Sequence, residues 1–523
     1  MLFTTVKFYI FFAVLLIVFY AVPRRYRWVV LLTASLFFCW SFNALLSLHL
    51  IGAALLAWCS GQVMSRNLEK EKAAVALIDK SLKEERKAVK AKHKKQRRTC
   101  MGMSAALLTS SLLLFKFYNP FVQMLNEKGA AFSRIAVPVG VSFYTLQIVS
   151  YVIDVYNQNQ EAESNPLRFL LFASWFPLLL QGPIHRYSNL APELRCEKQF
   201  CYEEFVAGFA RVLGGFLKKL IIADRLAVLT QTLYANYQQY SGVAVAFAGF
   251  AYAIQLYADF SGGIDMAVGF SQMLGITLTE NFRRPYFSRS VSEYWRRWHA
   301  TLGAFFKDYI FYPLTLSKPL TSLGKKLRSI NPEAGKRAPA LISMAALWLC
   351  SALWHGEGAQ FLLWGLFHWS IVTFDTFTEV KIEKAISKCA GPLQKIIAIV
   401  QTIGTFCLVS FGELIFRAEG LSAALSMVKA LFGSWNVRAF FAETVPTLGL
   451  DVADLNVAWI AVVLLFMFEL MQEKGHCADF SQKVARKPLA VRWLLMLAAI
   501  AVLLIFGVYG KGYDPAPFLY FQF

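Results

Sequence analysis

The sequence predicts an all-α polytopic membrane protein with roughly 11–13 transmembrane or re-entrant helices. Three observations predict it. Of 523 residues, 57% are hydrophobic and only 16% are charged, where a soluble globular protein carries about a quarter charged. Mean hydropathy is +0.46, so the chain cannot cover a soluble surface and lipid must be part of its solvent. The apolar residues recur in stretches of about 15–25, set off by basic segments. Composition removes other classes as well. The nine cysteines are scattered singly, the closest pair being Cys196 and Cys201, with no CxxC. That is neither a disulfide framework nor a zinc signature.

Residues 2–22 are apolar around Lys7 and are followed by Arg24, Arg25 and Arg27. A cleaved signal peptide has the reverse order, so this reads as an uncleaved first span with its N-terminus outside. The next two spans, 28–42 and 43–65, then place 66–98 inside. That segment holds thirteen Lys and Arg against five Asp and Glu, a large part of the formal net charge of +20. Beside membrane spans this is the positive-inside pattern rather than a nucleic-acid site. Its helical spacing of small apolar residues reads as a basic cytoplasmic loop or a surface amphipathic helix over anionic lipid heads.

Further spans are expected at 99–118, 136–156, 166–181, 205–233, 243–258, 339–355, 359–378, 395–416, 453–471 and 491–510. Pro177, Pro183, Pro285 and Pro313 interrupt the middle third. Short apolar pieces broken by proline beside polar residues belong where protein lines a cavity. The middle third therefore reads as re-entrant helices around a central site. No internal repeat is visible, which argues against inverted-repeat transporters. Residues 1–523 read as a single membrane-embedded domain, and any chemistry must use its buried part.

Ionisable groups at membrane depth are costly and mark function by default. Of seven histidines, His93 and His476 lie in hydrophilic segments and His49 is alone on an apolar helix, so these three read as structural. His185, after the break at Gly182-Pro183, reads as lining a cavity mouth. His299 ends Ser290-Val-Ser-Glu293-Tyr-Trp295-Arg296-Arg297-Trp298-His299. Ser290 and Glu293 have capping-box spacing, so a helix starts there, and Glu293 can pair with Arg297 one turn on. Trp295, Trp298, Leu302, Phe305 and Tyr309 form the stripe of an interfacial amphipathic helix, with His299 at its edge. That histidine either shapes a donor-binding mouth or hydrogen-bonds in place. His355 ends the run Leu341–Trp354 before Gly356 and Gly358, where a neutral imidazole can take a proton from an acceptor hydroxyl or hydrogen-bond between helices. His368 lies thirteen residues on, nearly opposite on a helical wheel, so the pair does not read as a metal site. No HExxH, GxSxG, P-loop or GxGxxG occurs. Asp259 and Asp265, in Tyr257-Ala-Asp-Phe-Ser-Gly-Gly-Ile-Asp265-Met, cannot face lipid. They are expected to pair with Arg283, Arg284, Arg296 or Arg297, or to accept from backbone amides.

Four blocks, in order, carry a resemblance: Trp175-Phe-Pro177 with Gln181-Gly-Pro-Ile184; Tyr257 to Gly269; Glu280-Asn281-Phe282 through Tyr286 with Glu293-Tyr-Trp-Arg-Arg-Trp-His299 and Asp308-Tyr309; and Leu353-Trp354-His355-Gly356 with Trp364-Gly-Leu366. Weaker matches are Phe416-Arg417-Ala418 and Pro517 to Phe523. Together they resemble the membrane-bound O-acyltransferase family, in its bacterial alginate O-acetyltransferase type. Gly263 stands where the family often has Tyr, and the segments 315–338 and 66–98 look longer than usual. The resemblance implies helices around a central funnel, in the bacterial cytoplasmic membrane. It implies His355 as the catalytic base, with His299 as a second candidate. Trp354, Trp298, Asp259, Asn281, Arg296 and Arg297 are then candidate substrate-binding residues. The arginines either attract a donor's phosphates or act as positive-inside anchors. No bound cofactor is implied; the donor is acetyl-CoA or a related acyl thioester. The acceptor is a polysaccharide hydroxyl outside the membrane, reached through a secreted or membrane-anchored relay partner. Alginate, cellulose, another exopolysaccharide and peptidoglycan are all served by similar proteins, and a sister type alanylates teichoic acids from a carrier-protein thioester. A transporter or flippase for an envelope precursor, or a non-catalytic scaffold, are the competing readings.

Overall fold

The computed structural model describes residues 1–129, 131–195, 199–475 and 480–509. His476, Cys196 and the block Pro517 to Phe523 lie outside them. All regular structure among the described residues is helical. The chain forms two compact units: Met1–Phe205 with Ser271–Leu278, and Val206–Phe270 with Thr279–Phe523.

The first unit holds α1 (Val6–Ala21), α2 (Arg24–Trp40), α3 (Ala44–Leu77), α4 (Lys83–Glu127), α5 (Val141–Tyr156), α6 (Pro166–Ser174), α7 (Phe176–Gln181) and α8 (Tyr187–Leu194). Helix α5 has 13 of its 16 residues buried, Gln147 and Asp154 among them, so it lies inside the unit rather than on its surface. It starts at Gly140, where φ is +70° and a Cβ would meet the Leu179 carbonyl at 2.6 Å, so only glycine fits. His49 donates to or accepts from the Tyr144 hydroxyl at 2.7 Å, a structural bond. His185 is buried in the loop after α7.

The basic segment 66–98 is neither a loop nor one amphipathic helix. It is the paired ends of α3 and α4 with a short turn at 78–82. Helix α4 has 45 residues, about 67 Å at ~1.5 Å per residue. That is about twice the ~30 Å hydrocarbon thickness. Its charged half must therefore leave the bilayer, and it stays helical by pairing: buried Arg97 holds Glu71 at 2.6 Å, and Asn67 bonds Gln96 at 2.7 Å.

The second unit contains α9 (Tyr202–Phe216, from Val206 on), α10 (Asp224–Ala235), α11 (Val243–Met273, to Phe270), α12 (Val291–Arg297), α13 (Ala300–Phe306), α14 (Tyr312–Thr315), α15 (Lys318–Arg328), α16 (Pro332–His355), α17 (Ala359–Ile386), α18 (Gly391–Arg417), α19 (Leu421–Ala430), α20 (Val437–Ala439), α21 (Val452–Glu473), α22 (Phe480–Ala485) and α23 (Leu489–Phe506). Among the described residues seven helices, α3, α4, α11, α16, α18, α21 and α23, are long and apolar enough to cross a membrane. Shorter apolar helices lie at Val6–Ala21, Val141–Tyr156, Pro166–Gln181 and Leu421–Ala430. The expected spans 28–42 and 359–378 fold within α2 and α17. The expected span 205–233 is helical throughout, with a π-helical segment, Leu217–Ala223, between α9 and α10.

Helices α9 and α11 meet on glycine. A Cβ on Gly215 would meet the Gly262 carbonyl at 2.6 Å, one on Gly262 the Gly215 carbonyl at 2.8 Å, and one on Gly269 the Gly208 carbonyl at 2.6 Å. Small residues let membrane helices approach this closely. Because the opposing atoms are backbone, they cannot yield. Gly262→Ala is expected to lower stability by about 1–3 kcal/mol through overpacking, read as a lower midpoint of thermal unfolding in detergent.

Candidate functional site

The aromatic helix begins as its sequence requires. The Ser290 side chain accepts from the Glu293 amide at 3.1 Å, and the Glu293 carboxylate accepts from the Arg289 amide at 2.8 Å and from Arg297. The expected continuous stripe from Trp295 to Tyr309 does not form. Helix α12 stops at Arg297, and α13 starts after His299, whose φ is +44°. A histidine in the left-handed region is strained, and such strain gathers at functional sites. Trp298 and His299 are buried rather than spread along an interface.

His299 is held by Asn281, which is fully buried. The Asn281 Oδ1 lies 3.1 Å from His299 Nδ1 and also accepts from the Thr301 amide at 3.1 Å and the Thr301 hydroxyl at 2.8 Å. The amide can only donate, so Oδ1 is the acceptor and His299 Nδ1–H donates. In a neutral ring the lone pair then sits on Nε2. The Asn281 carbonyl also accepts from the Ala300 amide at 3.0 Å. Asn281→Ala removes the acceptor of three hydrogen bonds and is expected to cost about 1–3 kcal/mol, seen as a lowered unfolding midpoint.

His355 is the last residue of the 24-residue helix α16. Gly356 breaks the helix in an extended conformation and leaves room for Phe361, which a Cβ there would meet at 2.1 Å. Three rings enclose His355: Trp354 at 5.0 Å, Trp364 at 5.1 Å and Phe416 at 5.2 Å between centroids. Trp354 also packs on His299 at 6.1 Å. The two histidines, 56 positions apart in sequence, thus both touch one tryptophan. Trp298 stands next to them in a box of Tyr257, Phe260, Phe282 and Tyr294.

His368 comes to the same aromatic group because the chain reverses at Gly356–Gly358: its ring lies 5.1 Å from Trp364 and stacks on Trp348 at 5.3 Å. The sequence did not assign it a place there. Trp295 Nε1–H donates to its Nδ1 at 3.3 Å. An indole nitrogen only donates, so this histidine spends its lone pair holding Trp295.

The acids of the Tyr257–Gly269 block do not pair with the arginines of 283–297 as expected. Asp259 binds Lys219 at 2.7 Å, and Lys219 also binds Asp224 at 2.9 Å; all three are buried. Asp265 binds Lys218 at 2.8 Å and Arg211 at 3.0 Å, and Arg211 continues to Glu280. The π turn causes the change, since it aims Lys218 and Lys219 at α11 from nearer than the arginines. Those arginines turn to α21: Arg284 and Arg297 share Glu473 at 2.7 and 3.0 Å. Tyr257 donates to Glu469 one turn earlier on α21. Arg296 remains exposed, with a loose 3.5 Å contact to Glu379, and Arg283 and Arg289 are exposed as well.

The long apolar helices place the chain among polytopic membrane proteins, and comparison names its class. The membrane-bound O-acyltransferase family, MBOAT, matches residues 106–410. The chain belongs to this family and is an O-acyltransferase embedded in a membrane by many passes. It is similar to "Probable alginate O-acetylase AlgI" of Azotobacter vinelandii, 29% identical over 98% of both chains. It is 33% identical to the protein of that name from Pseudomonas aeruginosa, over 66% of this chain and 63% of that one. "Peptidoglycan O-acetyltransferase" of Helicobacter pylori is 29% identical over 62% of this chain and 63% of that one.

Proposed function

We propose that this chain, acting as one membrane-embedded acyltransferase domain in a bacterial cytoplasmic membrane, carries an acetyl group from a cytoplasmic thioester toward a polysaccharide hydroxyl outside. A secreted or membrane-anchored partner relays the group to the polymer. The donor is acetyl-CoA or a carrier-protein thioester. The observation that carries the reading is the pair of buried histidines, His355 and His299, both packed against Trp354, in a family whose relatives are named for O-acetylation. His355 takes the proton of the acceptor hydroxyl as its oxygen attacks the thioester carbonyl. The carbon–sulfur bond breaks, and the same proton goes to the leaving thiolate. His299, donating through Nδ1 to Asn281, holds Nε2 toward the aromatic group as a second base or orienting group. Trp354 and Trp298 wall the reacting atoms. Arg296, with Arg283, offers exposed charge to a donor's phosphates, whereas Arg297 is already paired. Asn281 and Asp259 act on the site by positioning.

The test uses membranes containing the chain and its natural envelope acceptors. Labelled acetyl-CoA should deliver label to a protein or a polymer. If CoA is released without an acetylated product, or label moves only from a carrier-protein thioester, the acetyl-CoA form of the reading fails.

A further inference from the structure

About one helical turn along α18 from Phe416, the ring packed on His355, lies a second group of buried polar atoms. Glu413 on α18, Tyr234 on α10 and Tyr252 on α11 are all buried. Among the described residues nothing hydrogen-bonds Glu413 Oε2 or either tyrosine hydroxyl. Their meeting is built by a close helix crossing. A Cβ on Gly249 of α11 would lie 2.8 Å from the Ser410 carbonyl of α18. Tyr252 stands one turn beyond Gly249, and Glu413 nearly one turn beyond Ser410. The two tyrosine rings are 5.9 Å apart. Arg417, four residues after Glu413 and half-buried, holds its guanidinium 5.4 Å from the Tyr234 ring and 6.0 Å from the Tyr252 ring. Glu413, Phe416 and Arg417 share one face of α18, and Phe416 is the ring against His355.

Buried polar groups without partners are rare in native proteins, because each has given up water for nothing. Three such atoms on adjoining helices, one of them a turn from the ring against a candidate base, are a pattern that a ligand completes. We propose that Tyr234, Tyr252 and Glu413 form the acceptor subsite, hydrogen-bonding the molecule whose hydroxyl receives the acyl group. The ligand class is a hydroxyl-bearing acceptor. Phenol hydroxyls and a carboxyl can both donate to and accept from such a group, and none of them suits the apolar part of a thioester. The inference rests on the acyl-transfer reading above and narrows it to the acceptor half of the reaction.

The decisive variant is Tyr234→Phe with Tyr252→Phe, which deletes two hydroxyls and keeps both rings. If the hydroxyls bind nothing, their loss leaves stability level or higher, since they have no partner to lose, and leaves transfer unchanged. If they bind the acceptor, the double variant keeps its unfolding midpoint but loses acetyl transfer about ten-fold, the worth of two ordinary hydrogen bonds. The donor concentration for half-maximal rate should stay within about two-fold. Glu413→Gln should act in the same direction. Label recovered in polymer or in protein identifies which molecule brings the hydroxyl. Unchanged transfer in the double variant overturns the subsite, as does a loss of transfer matched by a loss of stability. A wild-type membrane that transfers no acyl group from any thioester overturns the enzymatic reading itself, a separate outcome.

Discussion

Replacing His355 by Gln should leave a folded, membrane-inserted protein whose acyl transfer is about 10²–10⁴-fold slower, the usual contribution of a positioned general base. Glutamine is the informative substitution. It roughly fills the space among Trp354, Trp364 and Phe416 and still hydrogen-bonds, yet it cannot take up a proton. Alanine would open a hole among three rings and add a packing penalty of several kcal/mol, on the order of an aromatic truncation. Its effect on rate would be mixed with loss of protein. Transfer should be measured per folded molecule, with the unfolding midpoint taken in the same preparation. His299→Gln should fall less far, because its Nδ1–H bond to Asn281 marks one edge of the ring as structural. If His299→Gln instead abolishes transfer and His355→Gln retains it, the roles are reversed and Asn281 becomes the residue that orients the base.

Much of this arrangement was legible in the sequence, and the parts that were not share a physical cause. The capping box at Ser290, the Glu293–Arg297 pair and the break after His355 all follow from local spacing, and each is found. Hydropathy located most of the helices. What spacing could not reach is partner choice between distant segments. Asp259 looked toward the nearby arginines, but its cation is Lys219, forty residues upstream, because a π turn rotates that side chain inward. His368 seemed to point away from His355 when both were laid on one helical wheel. A reversal of the chain brings both rings to within 5.1 Å of Trp364. The turn at His299 ends a stripe whose periodicity read as continuous, and one residue with positive φ leaves no mark on periodicity. Glu413 was visible as an acid inside an apolar run and could have been singled out on that ground alone. Its tyrosine neighbours come from two other helices and could not.

The largest loss of folded protein should come from Lys219→Met. This lysine shares its charge between Asp259 at 2.7 Å and Asp224 at 2.9 Å, all three side chains being almost wholly removed from solvent. Methionine matches the length of the lysine stem but leaves two buried carboxylates without that cation. Breaking one side of a buried ion pair typically costs about 3–5 kcal/mol, a large share of the ~5–15 kcal/mol that holds a domain together. The variant should therefore be nearly absent as a monodisperse species in detergent. The triple variant Lys219→Met, Asp224→Asn, Asp259→Asn removes the charges together and should recover much of the loss, since amides are cheaper to bury than carboxylates. The same series decides what Asp259 does. If it only anchors α11 to the π turn, the recovered triple variant transfers acyl groups at a rate near that of wild type. If Asp259 meets the substrate, the triple variant is stable and inactive. The first outcome is expected, because the carboxylate is already engaged and the acids and glycines of 257–269 face the helix that supplies both Lys218 and Lys219. On that account the block is maintained by the packing of two helices, whose crossing fixes where α11 presents Phe260 to the ring of His299 at 4.8 Å.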